Sequence, residues 1–496
     1  MTGKPGICAV TRGPGATNAA NGVHTAFQDS SPMIVLICQV GRSMMDREAF
    51  QEMDYRQVFG QMVKWVAQIE DASRIPDYLS RAWKTALSGR PGPVVLTLPE
   101  DMLSDVVSVA DIVPTQLSKP APTPASITEL GTLLENAKNL LMLVVGPGWS
   151  AECGRKATAF AERTGLPVAA SFRCQDYVDN DHPNYVGVVG IALLPKLRTR
   201  IAEEVDLLIV VGSRLGEMTT QGYSLINIPN PQMNIVHIHP GAEELGRVYN
   251  PKLGIVSGPE AFFDSLDAIL DGDGVTRWAD WVKVQRTDYE AFLQPTNVPG
   301  KLNMARVIRY ITETMPKNTV LTNGAGNYTV WGHRFHRHCD YRTQLAPTSG
   351  SMGYSVPAAI AAKLVAPERP VIALAGDGCF LMTAQELATA KQYGTDIIYL
   401  VVNNSMLGTI RMHQERNHPD RKMSTDLHNP DFVIYAASFG IAGEKVEATE
   451  VFPAALERAR NSHGGYLIEL VVDQEALTPT QTLSEVNQQG HKAKLK

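Results

Sequence analysis

The chain has 496 residues, of which 44% are hydrophobic and 19% are charged, fractions typical of globular rather than disordered or fibrous proteins. Its 45 basic and 51 acidic residues give a formal net charge of −6, so we expect no nucleic-acid partner. The longest apolar runs, Met33–Cys38 and Leu140–Val145, are far shorter than the ~20 residues that span a bilayer, so we expect no membrane partner. Six cysteines without a C-x-x-C pair, and no signal peptide, predict a cytoplasmic protein with reduced thiols.

Strand-like apolar runs alternate with helix-length amphipathic segments, the pattern of parallel sheets with crossover helices. We predict three α/β domains with doubly wound parallel sheets, at residues 1–113, 125–272 and 298–496. They are separated by a proline-rich linker, Pro114–Pro124, and by polar links around Asp271–Gly274 and Gln294–Lys301.

The expected elements follow in chain order. The strands are Ile7–Thr11 (buried), Met33–Cys38, Val94–Leu98, Leu140–Val145, Val168–Ser171, Leu207–Val211, Asn234–His239, Thr319–Thr322, Val371–Ala375, Ile397–Asn403 and Tyr466–Val471. The expected helices include Ala16–Phe27, Ala72–Leu87, one that ends at Arg163, and Thr383–Tyr393.

Two strands of the third domain end in polar residues. Strand Val371–Ala375 runs into Gly376-Asp377-Gly378, and the next strand ends in Asn403-Asn404. Strands joined by a crossover helix finish at the same sheet edge, so we expect Asp377 and Asn404 to meet there although they are 27 positions apart. A carboxylate and an amide oxygen suit Mg²⁺ or Ca²⁺ carrying a phosphorylated ligand, for which Gly378 leaves room. Two unrelated turns are the alternative interpretation.

This segment resembles the thiamine diphosphate motif of the acetolactate synthase and pyruvate decarboxylase superfamily. Further segments are similar to the family in the expected order: Thr11–Asn18, Ala49–Glu52 with Lys64-Trp65, Gly92–Pro99, and Ser349–Tyr354 followed by Pro357–Ala359. The resemblance covers essentially the whole chain. It implies a pyrimidine-binding, a central and a diphosphate-binding domain, in that order.

The resemblance also implies residue roles. Mg²⁺ would be bound by Asp377, Asn404 and the carbonyl of Met406. Met352 would lie under the bent thiamine, Gln51 would face the substrate, and His413 would line the active site, so these three form the expected catalytic set. The implied cofactor-binding residues are Asn18, Asn327, Tyr328, Gly350, Met352, Gly376, Asp377, Gly378, Cys379, Asn404, Met406, Leu407 and Gly408.

The activity implied by the resemblance is decarboxylation of a small 2-oxo acid, with carboligation of the enamine to a second carbonyl. A simple 2-oxo acid decarboxylase or 2-hydroxy ketone lyase is the alternative among enzymes, and an inactive cofactor-binding scaffold is the alternative outside them. In the family, thiamine lies between the first domain of one subunit and the third domain of another. A homodimer or homotetramer with active sites at the subunit interface is therefore implied.

The sequence departs from the family pattern in three places. The activating glutamate should stand about a dozen residues before Thr2–Gly6, so we expect a first domain that is N-terminally incomplete by about 60 residues. Its genuine absence would mean either that another group activates the cofactor or that the protein is an inactive scaffold. His413 stands where acetolactate synthases have a tryptophan. Flavin-binding members of the family typically have an Arg-Phe-Asp-Asp run, of which this sequence keeps only Arg214. FAD is therefore a possible further cofactor.

For other clusters of possible ligand residues, structural roles are the favoured interpretation. The spacing of His333, His336, His338 and Cys339 matches no common zinc site and predicts a solvated or interface segment. His237 and His239 share one strand face, which is typical of core or crevice histidines. Gly146-Pro147-Gly148 is a structural turn or a nucleotide cradle.

Overall fold

The structure is a computed structural model that describes residues 1–113, 117–266 and 277–495. Within these residues there are three sheets, of four, six and six strands, and every strand pair within them is parallel. The predicted fold class, three parallel-sheet α/β domains, is confirmed. The expected link Asp271–Gly274 and residues 114–116 of the expected linker lie outside the described residues.

The first domain is a four-stranded sheet in the order β1-β2-β4-β3. Its elements are β1 (Gly6–Val10), α1 (Pro14–Gln28), β2 (Met33–Gln39), α2 (Tyr55–Phe59), β3 (Trp65–Gln68), α3 (Ile75–Leu87) and β4 (Pro93–Pro99). The expectation that the first strand is buried is wrong. Strand β1 pairs only with β2 and lies at the sheet edge, so the side chain of Ile7 is 68% exposed.

The central domain is a six-stranded sheet in the order β10-β9-β8-β5-β6-β7. Its elements are α4 (Pro124–Asn136), β5 (Leu140–Val144), α5 (Ala151–Thr164), β6 (Val168–Ser171), β7 (Tyr185–Val189), α6 (Pro195–Glu203), β8 (Leu207–Val211), β9 (Asn234–His239), β10 (Leu253–Val256) and α7 (Pro259–Ser265). Helix α8 (Ala279–Phe292) follows the second gap in the described residues, and its Tyr289 packs in the core of this domain. Apolar side chains fill both faces of the sheet, as parallel sheets require.

The third domain is a six-stranded sheet in the order β12-β11-β13-β14-β16-β15. Its elements up to the central strands are α9 (Met304–Thr314), β11 (Val320–Asn323), α10 (Tyr328–Phe335), β12 (Gln344–Leu345), α11 (Ser355–Val365), β13 (Val371–Gly376), α12 (Asp377–Leu381), α13 (Leu387–Gln392) and β14 (Ile398–Asn403). The remaining elements are α14 (Gly408–Asn417), α15 (Phe432–Ser438), β15 (Ala442–Val446), α16 (Phe452–Arg460), β16 (Tyr466–Val471) and α17 (Leu483–Lys494).

The expected single helix Thr383–Tyr393 is wrong. Helix α12 begins directly at Asp377, a 3-10 turn covers Ala384–Glu386, and α13 follows. The difference matters for function, because it places Asp377 in the first turn of a helix as well as at the end of a strand.

The loop at 347–353 is held by both other domains. From the first domain, Asp29 at the end of α1 accepts a hydrogen bond from the backbone N–H of Thr348 (2.7 Å). From the central domain, the buried Arg173 donates to the carbonyl of Gly324 (2.8 Å) and to that of Pro347. These contacts fix the position of the loop that carries Gly350 and Met352.

In the described part of the chain, no helix is both long enough and apolar enough to cross a membrane.

Candidate cofactor and metal site

The two polar strand ends of the third domain lie side by side. Strands β13 and β14 are neighbours, and Gly376 pairs with Val402. Asp377, which follows β13, and Asn403, the last residue of β14, therefore lie at the same edge of the sheet. The crossover rule predicted this placement, and Asn404 is the next residue along.

Asp377 is a buried carboxylate, with 3% of its surface exposed. One of its oxygens accepts from the backbone N–H of Gly378 (2.8 Å) and the other from the side-chain amide of Asn429 (2.9 Å). Burial raises the pKa of Asp377 above its usual value, and these hydrogen bonds oppose that shift. A partner of positive charge would stabilise such a carboxylate, since few other groups offset the loss of water.

Asn429 connects the two strand ends. Its amide nitrogen donates both to Asp377 and to Oδ1 of Asn403 (2.9 Å). Its own carbonyl oxygen, Oδ1, is buried and has no hydrogen-bond partner. An unpaired acceptor beside a buried carboxylate is what a hydrated cation would satisfy.

The chain then turns sharply after Asn404. Ser405 has a left-handed backbone conformation (φ +53°), and the backbone N–H of Met406 donates to Oδ1 of Asn404 (3.3 Å). Leu427 donates from its backbone to the carbonyl of Ser405 (2.9 Å), so a second segment covers this turn. The turn brings Asn404 and Met406 to the edge where Asp377 lies.

Two glycines near this edge differ: a Cβ on Gly378 would be crowded by side chains, whereas Gly350 is open. A Cβ on Gly378 would lie 3.0 Å from Leu407 and 3.7 Å from the terminal methyl of Met352, so the Met352 side chain reaches the residue after Asp377. Gly350 is left-handed (φ +69°) and has no other atom within 4 Å of where a Cβ would stand. The loop residue Met352 and the metal-ligand candidates therefore share one region of the third domain.

Helix α14 begins at this region with a free N-terminus. Leu407 precedes it and offers no side-chain cap, and the first turn carries no acidic residue. Thr409 donates from its hydroxyl to Oδ1 of Asn327 (2.8 Å), which ties α14 to the start of α10. Free N–H groups and the helix dipole favour an anion such as a phosphate at this end.

Tyr328 and Cys379 lie beneath the edge and point into the domain. The Tyr328 hydroxyl accepts from the backbone of Gly324 (3.0 Å) and donates to Sγ of Cys379 (3.4 Å). The Cys379 thiol donates to the carbonyl of Ala325 (2.9 Å). Burial raises the pKa of Tyr328 well above its usual value, so the phenol stays protonated and holds the turn at 324–326.

Among the first-domain residues expected in the site, Gln51 packs within its own domain and Asn18 is exposed. Gln51 is left-handed (φ +65°) and packs against Gly13, whose Cβ would lie 2.8 Å from that of Gln51. Asn18 is exposed on α1. Among the described residues, no hydrogen bond joins Gln51 or Asn18 to the third domain; α1 instead uses Asn21, which donates to Ser351 (3.1 Å). His413 is exposed on α14.

The corresponding edge of the central domain is closed. The crevice lies between β5 and β8, where a Cβ on Gly146 would overlap the carbonyl oxygen of Gly212. Arg214 donates to the carbonyl of Gln28 in the first domain (2.8 Å). The FAD alternative rests on Arg214 and stays a prediction.

The histidines also have structural partners. His333, His336 and His338 are buried, so the solvated alternative for this segment is wrong. His333 pairs with Gln175 of the central domain (2.8 Å), which agrees with the interface alternative. His237 and His239 are buried as expected, with contacts to the carbonyl of Ser213 (2.6 Å) and the backbone N–H of Gly241 (3.0 Å).

Sequence reasoning missed Asn429, Asn403 and Arg173. Asn429 lies 52 positions after Asp377, and its only local signal is the Asn429-Pro430 dipeptide before the helix cap Asp431, which is typical of a turn. Asn403 was part of the Asn-Asn pair but was not assigned a role. Nothing in the sequence around Arg173 indicates that its side chain crosses to another domain.

Comparison with known proteins identifies the family. Three domain profiles of the thiamine pyrophosphate (TPP) enzymes match in order, TPP being another name for thiamine diphosphate. They are the N-terminal TPP binding domain at residues 1–58, the central domain at 127–266 and the C-terminal TPP binding domain at 324–470. The acetolactate synthase of Mycobacterium leprae is 30% identical over 482 residues, covering 93% of this chain and 75% of that protein.

Two further relatives are similar over nearly the whole chain. The acetolactate synthase large subunit of Corynebacterium glutamicum is 29% identical, covering 96% of this chain and 78% of that protein. The large subunit of acetolactate synthase isozyme 2 of Escherichia coli is 27% identical, covering 95% and 85% respectively. The chain belongs to the thiamine pyrophosphate enzymes, within the acetolactate synthase family.

Proposed function

We propose that this protein uses thiamine diphosphate and Mg²⁺ to decarboxylate a small 2-oxo acid and join the remaining carbons to a second carbonyl compound, the activity for which its relatives are named. The observation that carries the proposal is the buried carboxylate of Asp377, which lies at the same sheet edge as Asn404 and beside the unpaired oxygen of Asn429.

The residues at this edge fit a magnesium ion. The donors would be a carboxylate oxygen of Asp377, the amide oxygen of Asn404 and the carbonyl oxygen of Met406. All three are hard oxygen ligands, and Mg²⁺ completes its octahedron with phosphate oxygens and water. The unpaired buried oxygen of Asn429 supports the same conclusion, because it could accept a hydrogen bond from a metal-bound water.

The surrounding residues fit the cofactor. Thiamine diphosphate supplies a nucleophilic carbon and an electron sink for decarboxylation. The free N-terminus of α14 would accept the diphosphate. Met352 would support the thiamine from below, since its terminal methyl lies near Gly378. Protein residues thus bind and orient the cofactor while apolar side chains keep water away.

Assembly of two chains is part of the proposal. Gln51 and Asn18, on the first domain, would complete the site of a second copy in a homodimer or homotetramer. The support is the family to which the chain belongs, in which thiamine lies between the first domain of one subunit and the third domain of another. FAD binding and a cytoplasmic location stay predictions.

Calorimetry on the Asp377→Ala variant tests the site. We expect loss of Mg²⁺-dependent thiamine diphosphate binding by about 100-fold or more, because removal of a metal ligand costs at least as much as removal of its supporting partner. Asp280→Ala, at an exposed aspartate of α8, is the matched control and should bind as the unchanged protein does. Equal affinity in both variants would contradict the metal assignment.

Product analysis then distinguishes the activities. With pyruvate, carboligation gives CO₂ and acetolactate. CO₂ with acetaldehyde would favour the simple decarboxylase, and cofactor binding without turnover of any 2-oxo acid would favour the inactive scaffold.

Competition between pyruvate and 2-oxobutyrate tests the role of His413. A tryptophan offers an apolar wall to one extra methylene, a difference of about 1–3 kcal/mol, whereas histidine is smaller and polar. We expect little preference for 2-oxobutyrate as acceptor, and an increased preference in His413→Trp. A strong preference that His413→Ala leaves unchanged would remove His413 from the acceptor pocket.

A further inference from the structure

A cavity of about 610 Å³ lies between the central and third domains. It is lined by the start of α6, the end of α8, residues 296–299, residues 478–482, Glu485 and Arg334. None of the proposed metal ligands lines it. Its volume is that of a pocket for a small organic molecule.

Arg334 in the wall of this cavity is a buried cation without a counter-charge. Its surface is 7% exposed, and it forms no ion pair with any described residue. Its Nε donates to the carbonyl of Phe292 (2.9 Å), but one terminal nitrogen is buried and has no hydrogen-bond partner. The guanidinium also lies 3.8 Å from the centre of the Phe292 ring. Burial lowers the pKa of Arg334 to about 10. A buried unpaired charge is costly, so an anion beside it would be stabilising.

The other charged groups of the cavity already have partners. Asp288 pairs with Lys196 (2.6 Å) and with Arg200. Glu485 accepts from the backbone N–H of Thr482 (2.8 Å) in the cap of α17. Among the described residues that line the cavity, no carboxylate forms an ion pair with Arg334, and Glu485 is the one carboxylate that pairs with no cation.

The first turn of α6 is a second feature that favours an anion. Leu194 precedes this nine-residue helix and provides no side-chain cap, and its first turn has no acidic residue. Leu194, Pro195 and Lys196 all line the cavity. The positive end of the helix dipole thus adds to the charge of Arg334.

We propose that this cavity binds a small organic carboxylate whose charge pairs with Arg334 and whose apolar part packs against Phe292, Ala291 and Val298. Nη2 of Arg334, which is neither buried nor hydrogen-bonded to a described residue, can donate to one carboxylate oxygen, and the apolar lining suits a short hydrocarbon chain. The ligand would bridge the two domains. This inference does not rest on the proposed catalytic function.

Calorimetry with isovalerate and its neutral analogue isovaleramide tests the proposal. The full chain is used without thiamine diphosphate or Mg²⁺, at constant ionic strength. We expect saturable binding of isovalerate and none of isovaleramide. No binding of isovalerate would overturn the proposal, and equal binding of inorganic phosphate would overturn the assignment to an organic carboxylate.

Variants then locate the binding. Arg334→Met should fold with unchanged or higher thermal stability, since it removes an unpaired buried charge, and should weaken isovalerate binding by about 10-fold or more. Arg155→Met, at an exposed arginine of α5, is the matched control and should bind normally.

A second variant covers the case in which Arg334→Met does not fold. Ala291 is exposed on α8 and lines the cavity, so Ala291→Phe should fill part of it and reduce binding while Arg334 stays in place. Unchanged isovalerate affinity in Ala291→Phe, or in a folded Arg334→Met, would place the ligand elsewhere and overturn the proposal.

Discussion

The third and central domains have the same kind of sheet edge, with different outcomes. In each, a glycine stands at the carboxyl end of a buried parallel strand: Gly376 is the last residue of β13, and Gly146 lies two residues after β5. In the third domain the edge carries the buried Asp377 and leaves space at Gly350. In the central domain the backbone at Gly146 packs directly on that of Gly212, and the crevice is closed there.

The difference shows that a glycine turn at a strand end is not sufficient for a ligand site. Polar atoms with unfilled bonding capacity must converge on it as well. At the third-domain edge, Asp377 and the unpaired oxygen of Asn429 meet this condition. At the central edge, Arg214 already donates to the carbonyl of Gln28, so its charge serves contact between domains.

Alanine substitutions at two left-handed glycines should lower the free energy of unfolding by different amounts at the closed central-domain edge and in the open third-domain loop. Gly146→Ala (φ +85°) should lower the free energy of unfolding by about 2–5 kcal/mol, because it adds overlap with Gly212 to backbone strain. Gly350→Ala (φ +69°) should cost only about 1–2 kcal/mol, since nothing lies within 4 Å of its Cβ. Guanidinium unfolding measures both, and equal losses would contradict the close packing at Gly146.

Removal of the Asn429 side-chain amide, which joins the two strand ends, should weaken Mg²⁺ binding at the third-domain edge although no metal ligand is removed. Asn429→Ala should reduce Mg²⁺ affinity by about 10–100-fold, because Asn429 holds both Asp377 and Asn403. Thiamine diphosphate binding at a series of Mg²⁺ concentrations provides the measurement. Asn461→Ala, an exposed asparagine after α16, is the control; if it has the same effect, the role of Asn429 is not specific.

Acidic pH should lower the stability of the folded protein through His239, which is the last residue of β9 in the central domain. Burial lowers the pKa of His239 from 6.5 to about 4, so between these pH values the unfolded chain binds a proton that the folded chain does not. Stability is therefore complete above pH 6.5 and falls as the pH drops, by up to about 1.4 kcal/mol per pH unit for this residue.

The pH dependence of unfolding in His239→Gln and in the unchanged protein measures this contribution. His239→Gln should remove that part of the slope. Identical slopes in the two proteins would contradict the lowered pKa of His239.

The sequence predicted the inner strands of the parallel sheets well. Val168–Ser171, Leu207–Val211 and Asn234–His239 agree with the observed strands at both ends. It did not predict β3, β7, β10, β12 or β15, and it misplaced the helix after Asp377. All five missed strands lie at the edges of their sheets, where the strand conformation depends on pairing with a neighbour in space more than on the local apolar pattern.

For the site, the sequence alone determined that Asp377 and Asn404 share one sheet edge. The two strands before them are joined by a single crossover, and parallel strands joined in this way end at the same edge of the sheet. Only the tertiary structure decided that Asn429 joins that edge, that the Gly146 turn is closed, and that Arg334 is buried without a counter-charge. The physical reason is the same in all three. Each depends on contacts between segments far apart in the chain, and local periodicity carries no information about such contacts.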